Sequence, residues 1–192
     1  MKGSSSKKTL LGVGITSATQ REVLQYIITS LEEQHDPYYI VTPNPEIIVL
    51  ANKRREFLDI LNQARIALPD GSGVTLAAQF LGKPLSQRIT GVDLMESLCK
   101  EVSTPLRASF AEVATKAKKG FGGQGNPITV GFLGGRNGVA QKAADCLVRK
   151  YPGLKVSFIG EEWSDGLAGP AASSPQSARS IDILFVAFGF PK

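Results

Sequence analysis

At 192 residues, 42% of them hydrophobic and 20% charged, the chain is long enough for one α/β domain with a real core and too apolar for a disordered polymer. Its net charge of +5 is dispersed apart from short runs at Lys7-Lys8, Lys53-Arg54-Arg55 and Lys116 to Lys119, and no aromatic-plus-basic motif accompanies them, so nucleic acid is not an expected partner. No apolar run approaches the ~20 residues that span a bilayer, and two cysteines with a single histidine argue against a disulfide framework or a zinc site.

In chain order, residues 1–8 (MKGSSSKK) lack the apolar stretch of a signal peptide. They are expected to be disordered or a remnant with no role in the fold, and the protein to be cytoplasmic. Residues 9–15 read as one strand. Val23, Leu24, Ile27, Ile28 and Leu31 then recur at helical spacing behind Thr19 as N-cap. A short β-rich run at 38–41 leads into Thr42-Pro43-Asn44-Pro45-Glu46, where Asn44 suits an N-cap and Pro45 the first helical position. Helices are expected to about residue 52 and over 54–63, a strand over 65–68, and helices over 72–81 and 92–101. The second half repeats the alternation, with strands at 128–133 and 154–159, a helix at 139–150 and a β-rich run at 181–188. That last run is apolar on both faces and reads as a core strand. Cys99 and Cys146 fall in helical patterns and are expected as small core residues. Strands of this kind separated by helices predict an α/β fold, a Rossmann-like, mostly parallel sheet with helices on both faces, over a single domain from 9 to 192. Segments 103–126 and 164–180, rich in small and polar residues, read as flexible loops.

The motifs lie mainly where strands give way to helices. Gly120 to Gly125 spells a formal GxGxxG, but a lysine-rich stretch precedes it and a strand follows, the reverse of the context a dinucleotide fingerprint needs. Gly134-Gly135 sits between a strand and a helix start, and is either a tight turn needing positive φ or a place where free amides meet an anion. The Thr42 hydroxyl is not needed for the Asn44 cap and stands at a strand end, where open α/β sheets place ligands. Asp70, in Pro69-Asp70-Gly71-Ser72-Gly73, is either the cap of the helix near Ser72, the reading favoured locally, or a general base. Arg88, in Arg88-Ile89-Thr90-Gly91-Val92-Asp93, suits a surface ion pair or a bidentate phosphate clamp. No P-loop, nucleophile elbow or metal-holding DxD occurs in the sequence.

Taken together, TPNPE, PDGSG, RITGVDLM, GFLGG and ILFVAFGFPK stand in the order and spacing of the TagA/WecG/CpsF glycosyltransferases, and the resemblance covers residues 9–192. It implies a Rossmann-like enzyme that transfers N-acetylmannosamine, with inversion, from UDP-N-acetylmannosamine to N-acetylglucosamine on undecaprenyl diphosphate. The product feeds wall teichoic acid or a related envelope polymer. The resemblance also implies no cofactor and no metal, the UDP-sugar being the donor substrate. Asp70 is then the general base, with Thr42 beside it in the catalytic and donor pocket. Asn44, Gly71, Gly134 and Gly135 fall to substrate binding and Arg88 to the diphosphate. Family members usually continue past Gly189-Phe190-Pro191-Lys192 with a basic tail that meets the membrane. The chain is therefore expected to be a truncated form, poorly active alone, of a protein peripheral to the anionic inner face of the cell membrane, with a homo-oligomer left open. The competing readings are a nucleotide-dependent oxidoreductase and a non-catalytic nucleotide-sugar-binding module.

Overall fold

The computed structural model describes residues 6–33, 36–104, 127–161 and 181–188. The GxGxxG at 120–125, most of the 103–126 segment, the 164–180 segment and residues 189–192 lie outside the described residues. The chain divides into two compact units, Met1–Met95 and Glu96–Lys192.

The first unit opens with a correction. Residues 9–15 are not one strand but the turn of a hairpin, β1 Ser6–Leu10 and β2 Val13–Ser17, paired antiparallel with Leu10 opposite Val13. The two loop residues, Leu11 and Gly12, have φ of 48° and 85°. Positive φ at both positions makes the tight turn whose twist matches the flanking strands. Leu-Gly is not the Asn-Gly or Asp-Gly pair that advertises such a turn, which is why the apolar run reads as continuous. The expectation that residues 1–8 have no role fails for Ser6 to Lys8, which form most of β1. Lys7 Nζ also donates to the Ala64 carbonyl at 3.0 Å.

Helix α1 spans Gln20–Glu32 and starts as the sequence implies: the Thr19 hydroxyl accepts from the Glu22 amide, and a Glu22 carboxylate oxygen accepts from the Thr19 amide at 2.7 Å. This reciprocal box satisfies two otherwise orphaned donors. Next come β3 (Ile40–Val41), α2 (Pro45–Lys53, capped by Asn44), α3 (Arg55–Gln63) and β4 (Ile66–Ala67). Strands β3 and β4 pair in parallel. Strand β2 joins them through a side chain: the Ala67 amide donates to Thr16 Oγ1 at 3.1 Å. Helix α4 (Ser72–Phe80) follows. The core is Leu10, Val13 and Ile15 of the hairpin against Ile48, Ala51, Leu61, Val74 and Ala78 of three helices.

Helix α5 (Gly91–Ser103) runs across the division between the units. The second unit holds β5 (Thr129–Gly134), α6 (Val139–Lys150), β6 (Lys155–Gly160) and β7 (Ile183–Ala187). Its sheet is wholly parallel in the order β6-β5-β7, so the α/β class and the mostly parallel pairing stand. Among the described residues β7 pairs with β5 alone, and it is not the buried core strand its composition suggests: Leu184 is 45% and Val186 54% exposed. A strand apolar on both faces looks the same in sequence whether or not a further layer covers it. Cys99 is buried as expected, whereas Cys146 is exposed.

The Glu22 carboxyl is held below the usual carboxylate range, first by the Thr19 backbone amide and then by the Thr19 hydroxyl, against a weaker opposing effect of desolvation. A depressed folded-state value stabilises above the unfolded value and loses that contribution as pH falls through the folded one. Glu22→Gln should therefore destabilise the chain at neutral pH and differ little from wild type in strong acid. Thr19→Ala should cost about 1 kcal/mol, read from urea midpoints.

Candidate functional site

The first unit gathers its strand ends at one rim, and a single segment, residues 86–91, ties them together. Ser17, the last residue of β2, shares a 2.9 Å side-chain hydrogen bond with Ser86 and accepts from the Ser86 amide at 3.1 Å. The Ile89 amide donates to the Pro69 carbonyl, just past β4, at 3.2 Å. Gly91 lies against Thr42, just past β3, so closely that a Cβ there would stand 3.3 Å from Thr42 Oγ1. The two neighbouring strand-end loops are joined directly as well, by the Asp70 amide donating to the Pro43 carbonyl at 3.2 Å. Pro43, Pro69 and the Ile89 side chain are fully buried beneath this rim. Thr42, Asn44, Asp70 and Gly71 are half-buried and Arg88 is exposed.

Four helices begin here, α1, α2, α4 and α5, each directing its positive end to the rim. Three of those ends are compensated from within the chain. Thr19 and Glu22 serve α1. Asn44, accepting from the Ile47 amide at 2.9 Å, and Glu46 serve α2. Thr90, accepting from the Asp93 amide at 3.1 Å, and Asp93 itself serve α5. Helix α4 differs. Its N-cap is Gly71, with φ of 93°, no side chain caps it, and its first turn holds no acid.

Asp70 is therefore not the cap that the local sequence favours. Helix α4 starts one residue later than that reading requires, because Gly71 takes the positive-φ position. Among the described residues the Asp70 carboxylate, the Thr42 hydroxyl and the Arg88 guanidinium have no hydrogen-bond or ion-pair partner within the chain. Asn44 uses its carbonyl oxygen on Ile47 and leaves its amide nitrogen unengaged. Groups that are half-buried or exposed and unpaired in this way remain open to a ligand or to water.

Gly134 and Gly135 lie in the second unit. There they make a tight turn with φ of 128° and 71°. The Gly135 amide donates to the Ala187 carbonyl at 3.1 Å, and the Gly138 amide, at the start of α6, donates to a Glu161 carboxylate oxygen at 2.7 Å. The Gly135 and Gly138 amides therefore already have acceptors within the second unit. Sequence reasoning missed Ser17, Ser86 and Gln87, which hold the rim together. The Gln87 side-chain oxygen, Oε1, accepts from the Gln20 backbone amide at 2.9 Å, fixing the start of α1. Nothing in Ser-Gln before Arg88 signals that role.

The model of the glycosyl transferase WecG/TagA/CpsF family matches residues 8–121, which takes in every residue of the rim. Proteins of Staphylococcus aureus strains COL and MW2 are 29% identical over all 192 residues, and each is named N-acetylglucosaminyldiphosphoundecaprenol N-acetyl-beta-D-mannosaminyltransferase. The chain spans 66% of the length of these relatives.

If Gly134 is a backbone requirement, Gly134→Ala should disrupt the second unit's sheet, because its Cβ would meet the Ala187 carbonyl oxygen at 2.3 Å. The expected loss is about 1–3 kcal/mol, seen as a lower denaturation midpoint.

Proposed function

The chain belongs to the glycosyl transferase WecG/TagA/CpsF family, and from that premise we propose that it carries the catalytic rim of an inverting sugar transferase. The donor is UDP-N-acetylmannosamine. The acceptor is a hydroxyl of N-acetylglucosamine linked to undecaprenyl diphosphate, and the product serves wall teichoic acid or a related envelope polymer. The observation that carries this reading is the convergence of Thr42, Asn44, Asp70 and Arg88, from three separate motifs, on one rim where their reactive groups have no partner among the described residues. The names of the Staphylococcus aureus relatives supply the sugar and the acceptor.

The chemistry assigns a part to each group. The acceptor oxygen forms a bond to the anomeric carbon as the bond from that carbon to the UDP oxygen breaks. The acceptor proton passes to the Asp70 carboxylate, and UDP leaves from the opposite face with its negative charge increased. Arg88 and the uncompensated amides of α4 meet that charge, so no metal ion is required. The Thr42 hydroxyl and the free Asn44 amide nitrogen orient the donor. No helix among the described residues is long and apolar enough to cross a membrane, and the proposed acceptor is anchored in one. A peripheral position on the inner face of the cell membrane follows from the reading.

Asp70→Asn should lower turnover by ~10²–10⁴-fold and leave UDP binding nearly unchanged. Near-normal turnover in a well-folded variant would place the base elsewhere. Transfer should also survive excess EDTA, while Arg88→Ala should raise the KM for the UDP-sugar. Activity lost to the chelator and restored by Mg²⁺ or Mn²⁺ would overturn the metal-free mechanism.

A further inference from the structure

Helix α4 is unusual on its outer side. Val74 and Ala78, four residues apart, face the core. The positions that follow one another along the solvent side are Leu76, Ala77 and Phe80, all exposed. A helix on the surface of a soluble unit normally carries charged residues there, yet α4 has no charged residue at all. Phe80 is 83% exposed, Leu76 54% and the adjoining Leu81 56%. The surroundings are cationic: Lys83 Nζ donates to the Thr9 carbonyl at 2.8 Å, and Lys8 Nζ to the Pro84 carbonyl, which brings both lysines to the carboxyl end of α4. From Gly71 to Val92 the sequence has Lys83 and Arg88 but no Asp or Glu, and none precedes Glu22 in the chain.

We propose that the exposed face of α4 docks on an anionic lipid surface, with Leu76, Phe80 and Leu81 entering the headgroup boundary and Lys8 and Lys83 lying among the phosphates. An apolar strip edged by lysines at its carboxyl end, on a helix that itself carries no carboxylate, is the composition that such a surface binds. A second copy of the chain fits less well, because a two-fold contact through this strip sets lysine against lysine. Docking rests on the transferase reading for its purpose. Helix α4 begins beside Asp70 and runs about 13 Å at 1.5 Å per residue, so a surface held against its outer face lies within a few sugar lengths of the base. A lipid-linked acceptor then reaches Asp70 without leaving the membrane.

The test is flotation of the chain with vesicles of phosphatidylcholine containing phosphatidylglycerol, and with vesicles of phosphatidylcholine alone. Wild type should float with the anionic vesicles. Phe80→Gln should reduce its partitioning about tenfold, the loss of one large buried apolar group. Lys83→Gln should reduce it about fivefold on the anionic vesicles and leave the neutral ones unchanged. Leu76→Gln serves as a second apolar variant if Phe80→Gln melts early. Absence of wild-type flotation, or equal flotation of wild type and all variants, overturns the proposal. So does a sedimentation result in which Phe80→Gln dissociates a dimer without affecting flotation. UDP binding, measured on the same proteins, reports the transferase reading separately: its absence in wild type would overturn that reading while the flotation result stood.

Discussion

The rim of the first unit depends on Ile89. Its side chain is fully buried and its amide is bonded to the Pro69 carbonyl, so the 86–91 segment cannot lift from the strand ends without exposing an apolar side chain and breaking a backbone hydrogen bond. Burial of a large aliphatic side chain is worth roughly 1.5–3 kcal/mol, several times what a surface ion pair would supply. With Ile89 anchored, Ser86 reaches Ser17 on one side and Gly91 abuts Thr42 on the other. The exposed Arg88 is thereby held next to a fixed point instead of ranging with a loose loop. The precision of the site comes from an apolar residue that takes no part in its chemistry.

Much of this was legible in the sequence, for identifiable reasons. Thr19, Asn44 and Pro45 announce helix starts through side-chain chemistry that acts locally, and α1 and α2 begin where those residues say. The strands β3 and β4 fall within the apolar runs that predict them, and β5 and β6 overlap theirs, each ending one residue later. What was hidden depends on which segments pair with which. Leu11 and Gly12 turn because Ser6 to Leu10 find β2 to pair with. The exposure of β7 depends on which strand takes the centre of the sheet, and β5 takes it. Ser17 and Ser86 are 69 residues apart, so neither residue shows the link on its own.

The same division holds at the site. Thr42, Asn44, Asp70 and Arg88 could be picked out one motif at a time as strand-end polar residues, but each also had an ordinary explanation. For Asp70 that explanation, helix capping, is removed by the backbone: Gly71 is the N-cap and its positive φ sets the helix start. For Asn44 the ordinary explanation holds and leaves a donor over, since a carboxamide that caps with its oxygen still has its nitrogen. For Gly134 and Gly135 the ordinary explanation accounts for the bonds observed. Sequence could pose these alternatives; which groups were already engaged required the hydrogen bonds.

Bringing four helix starts to one rim places four partial positive charges near each other, an arrangement that opposes folding unless something offsets it. Capping side chains and first-turn acids offset three of them. Leaving α4 without either is a local cost, and natural chains tolerate such inconsistencies mainly at functional sites. Gly73 adds to it, since a Cβ there would stand 2.8 Å from Pro45 Cγ. The close approach that glycine permits draws the starts of α2 and α4 together, at the expense of a residue that is poor inside helices. A diphosphate between those ends and Arg88 would supply the missing negative charge. Under the proposed transfer, the feature that weakens the fold is thus the feature that would bind the leaving group, and it would bind more strongly as charge develops there.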